Sequence, residues 1–454
     1  MGSSSSAAGM TAFKSGIVDA MNTIHARAAL TDAGWLESAT ICIGDDGLIT
    51  SVARGQAAPG DRQVDLLVPG MPNAHCHAFQ RDIAGLTEAA GGSGADNFWT
   101  WRERMFQAVQ GLDARALQRT ALELYRGLRD RGYTSVAEFH YVHRLGGSSA
   151  EETAEALVQA AGAAGLRLLL LPVLYRRGGL DGSSLLARQA AFGLSLEQYG
   201  RLLEKLRAVA GRHPHLSLGI APHSLRAVSA DDLTEALNLR HAILPGCPVH
   251  IHISEQQDEV EAARLHLGTT PIAWLCDNAP VDRSWVLVHA THASDQELLM
   301  AREREAVICI CTTTEANLGD GSFEIERWWQ MGGSLAIGSD SNVCLDPSEE
   351  LRWLEYQARL RRQRRALLLE AGSMHPGTSL WRRAVAGGRQ AMGWESPGIG
   401  AGAPAELLAV TVSDSSLSPD DAMDDLVFAQ RATRLEQLAG GLGAGWASDP
   451  RSAD

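Results

Sequence analysis

The sequence predicts a mixed α/β fold whose larger part is a (β/α)8 barrel of the TIM type, accompanied by a small β unit. Three observations support this fold class: apolar runs of strand length recur, amphipathic segments separate them, and polar titratable residues follow them. The alternative arrangement of the same repeats is an open, doubly wound parallel sheet. The eight runs lie at 66–68, 133–139, 166–174, 216–221, 248–253, 285–289, 306–311 and 334–337.

The small β unit is predicted from short segments towards both ends of the chain. Strands are expected at 17–18, 39–43 and 48–52, and the Gly-Asp-Asp-Gly sequence at 44–47 is typical of a hairpin turn. The apolar segment within 399–412 predicts that the chain returns to this unit. The unit therefore combines residues from before and after the barrel.

The two termini lack such patterns. Residues 1–10 do not have the apolar core of a signal peptide, and we expect a disordered tail there. Residues 432–454 are rich in Gly and Ala, and we expect them to be loosely ordered and without a strand.

Several segments between the strands have a helical pattern. Apolar residues three and four apart predict an amphipathic helix over 117–128, and a long basic helix is expected over 351–369. Before the first of these, a long loop contains Gly-Gly-Ser-Gly at 91–94 and an aromatic cluster at 98–106. A loop of this length at this end of a barrel is more often functional than idle.

Composition and charge exclude several functional classes. The 454 residues are 45% hydrophobic and 21% charged, as in ordinary globular proteins. A net charge of −14 argues against a basic patch that binds nucleic acid or an anionic membrane. The seven cysteines lack the spacing of a disulfide framework, and no apolar window approaches the length of a transmembrane helix. We therefore expect a cytoplasmic protein.

The segment after the first strand contains the most informative motif, His75-Cys76-His77. In extended backbone, side chains two residues apart point to the same side, so the two imidazoles can face one metal ion. The alternative is a pair of ordinary histidines near a strand end. The ends of the other strands decide between these interpretations.

Polar residues follow most of the other predicted strands as well. In a (β/α)8 barrel the chemistry lies at the C-terminal strand ends. Each residue alone has a structural interpretation, such as a packed histidine or, for Asp340, a helix cap. Together they predict metal-dependent chemistry at this face. These residues are Glu138, Tyr141, His223, Arg226, His250, His252, Glu255, His289 and Asp340, whereas His140 is expected to be an ordinary packed or surface histidine.

The same residues resemble the metal site of the amidohydrolase superfamily. The resemblance implies a (β/α)8 barrel at 68–398 and a small β-sandwich domain formed from both chain ends, residues 11–67 and 399–454. It is carried by His75-x-His77 on strand one, a histidine on strand five, His289 on strand six and Asp340 on strand eight.

One branch of the superfamily is a better match than the others. Many two-metal members use a bridging lysine from strand four, and residues 216–226 contain no lysine. The chain therefore resembles the one-metal deaminase branch, in which a His-x-x-Glu motif on strand five supplies an acid/base glutamate. Here that motif is His252-Ile253-Ser254-Glu255.

Six longer motifs carry a more specific resemblance: residues 69–81, 98–103, 138–141, 222–226, 313–321 and 338–341. They are similar to the formimidoylglutamate deiminase family of histidine degradation. The resemblance implies hydrolysis of N-formimino-L-glutamate to N-formyl-L-glutamate and ammonia. It also implies a small dicarboxylate as the binding partner and a homodimer, with no nucleic-acid or membrane partner.

The resemblance also implies roles for individual residues. Three imidazoles and one carboxylate suit one divalent metal per chain, with Zn²⁺ as the expected ion. Glu255 is expected to protonate the imino nitrogen, while His289 and Asp340 take and orient the proton of the attacking water. The expected metal ligands are His75, His77, His252 and Asp340.

Two substrate carboxylates call for fixed cations, and the guanidinium fork matches a carboxylate with two hydrogen bonds. By resemblance, Arg102 and Arg226 bind these carboxylates, and Gln80, Tyr141 and His223 line the pocket. From the residues alone, an arginine in a loop is usually a solvated surface residue.

Two other functions remain open at this point. The same metal set can deaminate a purine, pyrimidine or pterin ring, although a flat ring favours stacking aromatics over paired arginines. A barrel that has lost activity and serves as a scaffold is the third possibility, and such chains usually lose metal ligands. Two positions depart from the family pattern: Asn342 replaces a usual histidine, and Thr312 replaces a usual proline.

Overall fold

The structure, a computed structural model, describes residues 23–89, 96–394 and 398–439. These residues form a ring of parallel strands covered by helices, with a six-stranded sheet beside it. The prediction of a mixed α/β fold with a barrel of the TIM type is confirmed. None of the described helices is long and apolar enough to cross a membrane.

The described strands lie in three hydrogen-bonded groups. The terminal sheet has the order β15-β14-β4-β1-β2-β3, and the barrel strands run in sequence order. The strands are β1 (Thr23–Thr31), β2 (Gly34–Ile43), β3 (Ile49–Arg54), β4 (Arg62–Pro69), β5 (Met71–Cys76), β6 (Tyr133–His140), β7 (Arg167–Leu174), β8 (Leu216–Leu218), β9 (Ala221–Pro222), β10 (Val249–Ile253), β11 (Trp285–His289), β12 (Val307–Ile310), β13 (Ser334–Ile337), β14 (Leu407–Val412) and β15 (Thr433–Ala439).

Helices connect most of the barrel strands and cover its outside. Their buried faces join the strands in one apolar core. The helices are α1 (Phe98–Val109), α2 (Ala114–Arg129), α3 (Ala150–Ala164), α4 (Leu196–Ala210), α5 (Ala230–Ile243), α6 (Gln257–Leu267), α7 (Pro271–Asn278), α8 (Asp295–Glu303), α9 (Thr312–Leu318), α10 (Ile325–Gln330), α11 (Pro347–Arg362), α12 (Pro376–Ala391) and α13 (Pro419–Phe428).

The barrel closes through single bridges rather than long ladders. β5 to β9 form one parallel group and β10 to β13 the other. A parallel bridge between Ile220 and Val249 joins the groups on one side, and a bridge between Cys76 and Asp340 joins them on the other. The last strand therefore returns to the first, and the open-sheet alternative is wrong.

The first barrel strand was predicted one segment too early. Residues 66–68 lie in β4 of the terminal sheet, where they pair with β1 and β14, and the barrel begins with β5. The chain crosses between the two sheets at Gly70. A Cβ atom there would lie 2.2 Å from Cγ2 of Thr134 in β6. A larger residue at position 70 would therefore displace Thr134.

The terminal sheet unites the two ends of the chain. β4 pairs antiparallel with β14, and β1 pairs antiparallel with β2. The Gly-Asp-Asp-Gly turn connects β2 to β3 as predicted, with Gly44 N donating to Leu48 O at 2.8 Å. The described residues of both ends form this one sheet, whereas a β-sandwich was expected. Its buried core includes Ile24, Ile41, Leu67 and Leu407.

Near the C-terminus, the expectation that 432–454 contains no strand is wrong. β15 pairs antiparallel with β14 and completes one edge of the terminal sheet. Composition misled the prediction, because the partner strand supplies pairing that a Gly- and Ala-rich segment does not signal. The predicted strand at 17–18, the tail at 1–10 and residues 440–454 lie outside the described residues.

The aromatic cluster at 98–106 is helical rather than a loop. Asn97 caps α1, and its side chain accepts hydrogen bonds from the backbone N–H groups of Trp99 (3.0 Å) and Thr100 (3.3 Å). The predicted basic helix over 351–369 is α11, and it ends earlier, at Arg362. Gln363 follows in a left-handed conformation with φ 53° that terminates the helix.

Buried His143 predicts acid-sensitive stability. Burial lowers its pKa from 6.5 to about 4, although the hydrogen bond to Val173 O opposes this shift. Below pH 6.5 the unfolded chain binds a proton that the folded chain excludes. As the pH falls from about 6.5 to about 4, this one histidine should therefore lower the free energy of unfolding by about 1.4 kcal/mol per pH unit.

Urea unfolding at a series of pH values measures this slope. His143→Gln, which keeps an N–H donor for Val173, should flatten it, and His241→Gln at an exposed position should not. Equal slopes for the three proteins would contradict the assignment.

Candidate metal centre and adjoining cavity

Three histidines from two sides of the barrel converge on one point. His75 lies in β5, His77 directly after it, and His252 in β10. The Nε2 atom of His75 is 3.1 Å from Nε2 of His77 and 3.0 Å from Nε2 of His252. All three rings are buried.

Backbone carbonyls determine which ring nitrogen faces the centre. Nδ1 of His77 lies 3.0 Å from Phe139 O, and Nδ1 of His252 lies 3.2 Å from His223 O. Each Nδ1 therefore carries the proton, and Nε2 presents its lone pair to the centre. Burial lowers the pKa of His77 to about 3 and that of His252 well below its usual range. Both rings are neutral near pH 7.

Asp340 supplies a carboxylate to the same point. Its Oδ1 lies 3.3 Å from Nε2 of His77 and 3.5 Å from Nε2 of His75. Burial alone would raise its pKa, but the neighbouring rings of His75 and His77 lower it, so the carboxylate is ionised. Its backbone has a φ of 42°, a left-handed conformation that is strained for a non-glycine residue.

The donor set fits a divalent metal. Ligand atoms of His75, His77 and Asp340 all lie within 4.8 Å of one another. Lone pairs of neutral imidazoles repel at these distances unless a cation lies between them, and a nitrogen-rich set with one carboxylate suits Zn²⁺. His75, His77, His252 and Asp340 would hold the ion.

A second group of titratable residues borders the metal ligands. Nε2 of His289 lies 3.7 Å from Oδ2 of Asp340 and 3.9 Å from Oε1 of Glu255. Nδ1 of His289 lies 3.1 Å from Oε1 of Glu315, which orients the ring. Although burial opposes it, the surrounding carboxylates, first Glu255, raise the pKa of His289 well above its usual range.

Glu255 follows β10 and faces the same space. Burial raises the pKa of its carboxyl, against the opposing charges of His289 and Arg226. A raised pKa makes this carboxyl better able to take up a proton and pass it to a base than a solvent-exposed glutamate. The predicted acid/base group is therefore next to the metal ligands.

A cavity opens from this centre. It contains both predicted arginines and all three of the predicted lining residues. Gln80 donates to the hydroxyl of Tyr141 at 3.0 Å, which fixes both side chains against one wall. The cavity is lined by His77, Gln80, Phe98, Trp101, Arg102, Met105, Phe106, Tyr141, Tyr175, Phe192, His223, Arg226, His252, Glu255, His289, Thr314, Leu318 and Asp340.

The two arginines reach the cavity from different elements. Arg226 follows β9, and its guanidinium lies 3.5 Å from Oε2 of Glu255 and 4.0 Å from Oε2 of Glu259. Arg102 comes from α1 and donates to the hydroxyl of Tyr175 at 2.9 Å. The Trp99 ring lies 5.5 Å from the Arg102 guanidinium and 5.9 Å from that of Arg226, so one indole supports both cations.

A family model described as the amidohydrolase family matches residues 66–439. The chain belongs to the amidohydrolase family. The matched region includes all of the described barrel strands, β5 to β13, and every residue of the candidate metal centre.

Individual relatives agree with this family. Formimidoylglutamate deiminase from Pseudomonas aeruginosa is 43% identical over 403 residues, which cover 88% of each chain. The crystal structure of an amidohydrolase from Brucella melitensis has a TM-score of 0.86 at 37% identity, covering 92% of this chain and 95% of that chain. A zinc-bound adenosine deaminase from Xanthomonas campestris, at 22% identity, supports the fold alone, with a TM-score of 0.74 and coverage of 90% and 88%.

The two departures from the family pattern are both built into the structure. Asn342 donates to His77 O at 2.9 Å and accepts from the hydroxyl of Ser339 at 2.7 Å. Thr312 donates to Oε2 of Glu350 at 2.6 Å. Neither side chain is among the residues that line the cavity. Both therefore contact the residues around the site and do not face the space where a substrate would bind.

Some important positions carried no predicted role. Glu315 lies within one of the matched motifs, yet its contact with His289 requires the fold. Tyr175 lines the cavity. The sequence pattern could have identified it, because Tyr175 directly follows the apolar run 166–174 and no residue had been assigned to the end of that strand. Trp101 packs against the core and also lines the cavity.

Loss of one metal ligand should lower metal content without unfolding the protein. We expect wild-type protein to bind about one zinc per chain, and His252→Ala to bind well below that, because three ligands hold the ion less tightly than four. Inductively coupled plasma mass spectrometry after dialysis measures the content, and circular dichroism verifies the fold.

His241→Ala is the matched control, because it removes an exposed histidine that is not among the predicted ligands. Full zinc content in His252→Ala would rule out this residue as a ligand.

Proposed function

We propose that the protein hydrolyses N-formimino-L-glutamate to N-formyl-L-glutamate and ammonia. The observation that carries this proposal is the pair of arginines, Arg102 and Arg226, in a cavity that is also lined by Glu255 and by three of the four predicted metal ligands, His77, His252 and Asp340. A small dicarboxylate with a hydrolysable C=N group matches this cavity. Its carboxylates can pair with the two arginines, and its C=N group can lie beside the predicted metal ligands and Glu255. The relative from Pseudomonas aeruginosa bears the name of this activity.

We further propose that one divalent metal, Zn²⁺, is held by His75, His77, His252 and Asp340. When bound, such an ion supplies Lewis-acid activation of a water molecule near neutral pH. The zinc-bound deaminase of the same fold is consistent with this choice. The homodimer and the cytoplasmic location remain predictions.

The chain's own residues move the protons of the reaction. Water adds to the formimino carbon, ionised Asp340 accepts the proton that the water releases, and His289, 3.7 Å from Asp340, orients this transfer. Glu255 donates a proton to the imino nitrogen. The proton held by Asp340 then passes to the same nitrogen, the bond between this nitrogen and the former formimino carbon breaks, and ammonia leaves. Glu255 recovers its proton from the hydroxyl group of the adduct, and the former water oxygen becomes the formyl carbonyl of the product.

Distances within the site support a proposal for which arginine binds each substrate carboxylate. The α-carboxylate is attached to the carbon that bears the formimino nitrogen, so it must lie close to Glu255. Arg226 lies 3.5 Å from Glu255 and is therefore the cation proposed for the α-carboxylate. Arg102, which extends from α1 towards Tyr175, is then available to the side-chain carboxylate.

Ammonia release by zinc-replete protein tests the proposal. N-formimino-L-glutamate is compared with guanine, cytosine and an N-formimino amino acid without a side-chain carboxylate. Selective turnover of the first supports the proposal. Turnover of a ring substrate would keep the metal chemistry and exclude the substrate, and no turnover with zinc bound would favour the scaffold alternative.

Arg102→Met should weaken the selection of a dicarboxylate. We expect KM for N-formimino-L-glutamate to rise about tenfold or more, because a charged hydrogen bond to the substrate is lost. The kcat/KM for the analogue without the side-chain carboxylate should change little. Arg364→Met, at an exposed position, is the control, and an unchanged KM in Arg102→Met would contradict the assignment.

Glu255→Gln should lower kcat by about 10²–10⁴-fold, because glutamine has the shape of glutamate and cannot transfer the proton. Zinc content should remain that of wild type, since Glu255 is not an expected ligand. Steady-state kinetics and metal analysis together measure this, with exposed Glu261→Gln as the control. Wild-type kcat in Glu255→Gln would exclude the acid/base role.

A further inference from the structure

Tyr175 lies at the C-terminal end of the third barrel strand, directly after β7. Its side chain is 3% exposed and lines the cavity. Its ring centroid is 4.5 Å from that of His223 and 5.8 Å from that of Phe192, so the ring is fixed on two sides. Only the hydroxyl end remains to interact with polar groups.

The two polar partners of the Tyr175 hydroxyl in the described residues are both donors. Arg102 donates to it at 2.9 Å and Nε2 of Gln189 donates to it at 3.2 Å. The orientation of the Gln189 amide is determined by its other end, because Oε1 accepts from Leu186 N at 2.9 Å. The hydroxyl oxygen therefore accepts two hydrogen bonds.

A tyrosine hydroxyl also has one proton to donate. Among the described residues, the structure gives this proton no acceptor. A buried O–H group without an acceptor is unfavourable, and an acceptor entering from the cavity would satisfy it. The neighbouring Arg102 guanidinium selects an anion at this position, and a carboxylate has two oxygens that can accept from both groups.

We propose that the Tyr175 hydroxyl donates a hydrogen bond to the side-chain carboxylate of the substrate and, with Arg102, selects for a dicarboxylate. This inference rests on the proposed function. Tyr175 thus acts in specificity, and the proton transfers of the reaction stay with Glu255, His289 and Asp340. Gln189 is a positioning residue that holds the hydroxyl oxygen in place.

The test compares two substrates with wild-type protein and Tyr175→Phe. For N-formimino-L-glutamate, kcat/KM should fall about 10–100-fold, mainly through KM, because one hydrogen bond to a charged group is lost. For the N-formimino derivative of L-glutamine, whose side chain is uncharged, kcat/KM should fall less than about threefold. The ratio between the substrates is the decisive quantity.

Tyr199→Phe is the matched control. Tyr199 is also buried, and its hydroxyl donates to Pro172 O at 2.9 Å, so this variant measures the general effect of deleting a buried hydroxyl. Zinc content should be unchanged in both variants. An equal fall for both substrates, or no fall for either, would overturn the proposal.

Binding separates this inference from the proposed reaction. Calorimetry with N-formyl-L-glutamate measures affinity for the dicarboxylate without turnover. If wild-type protein binds it, does not hydrolyse the formimino compound, and loses affinity in Tyr175→Phe, the reaction is excluded and the role of Tyr175 stands. If wild type and variant bind it equally, or neither binds it, the role of Tyr175 is overturned.

Discussion

The contact between the first and last barrel strands is the constraint on which the site depends. His77 N donates to Asp340 O at 3.1 Å, and Asp340 N donates to His75 O at 3.0 Å. A Cβ atom on Gly338 would lie 2.8 Å from the Cβ of His75, so only glycine permits this approach. The same contact that closes the barrel brings His-x-His and the aspartate together.

Polar groups beneath this contact hold it in one arrangement. Asn73 donates to the hydroxyl of Ser339 at 2.7 Å and accepts from Ser339 N at 3.1 Å. Asn342 links Ser339 to the carbonyl of His77. Because these groups are buried, any displacement of one strand would leave several of them unpaired, at a cost of about 1–3 kcal/mol each. These hydrogen bonds therefore hold the backbone that carries His75, His77 and Asp340 in one position.

The site is divided into two electrostatic regions. Burial keeps His77 and His252 neutral at the metal centre, while ionised groups surround them. Towards the cavity, Arg226 and Arg102 supply positive charge, and Arg226 is balanced by Glu255 and Glu259. The neutral imidazoles and the guanidinium groups therefore lie in separate parts of the same cavity, as the proposed metal and the proposed anionic substrate would require.

The sequence by itself determined the (β/α)8 repeats and the residues at most strand ends, because strand and helix periodicity and short motifs are local properties. The tertiary structure decided where the first barrel strand begins, since β4 and β5 are both apolar and only pairing separates them. It also decided that β15 forms and that Tyr175 and Glu315 join the site. Those outcomes depend on contacts between residues far apart in the chain, which no local pattern encodes.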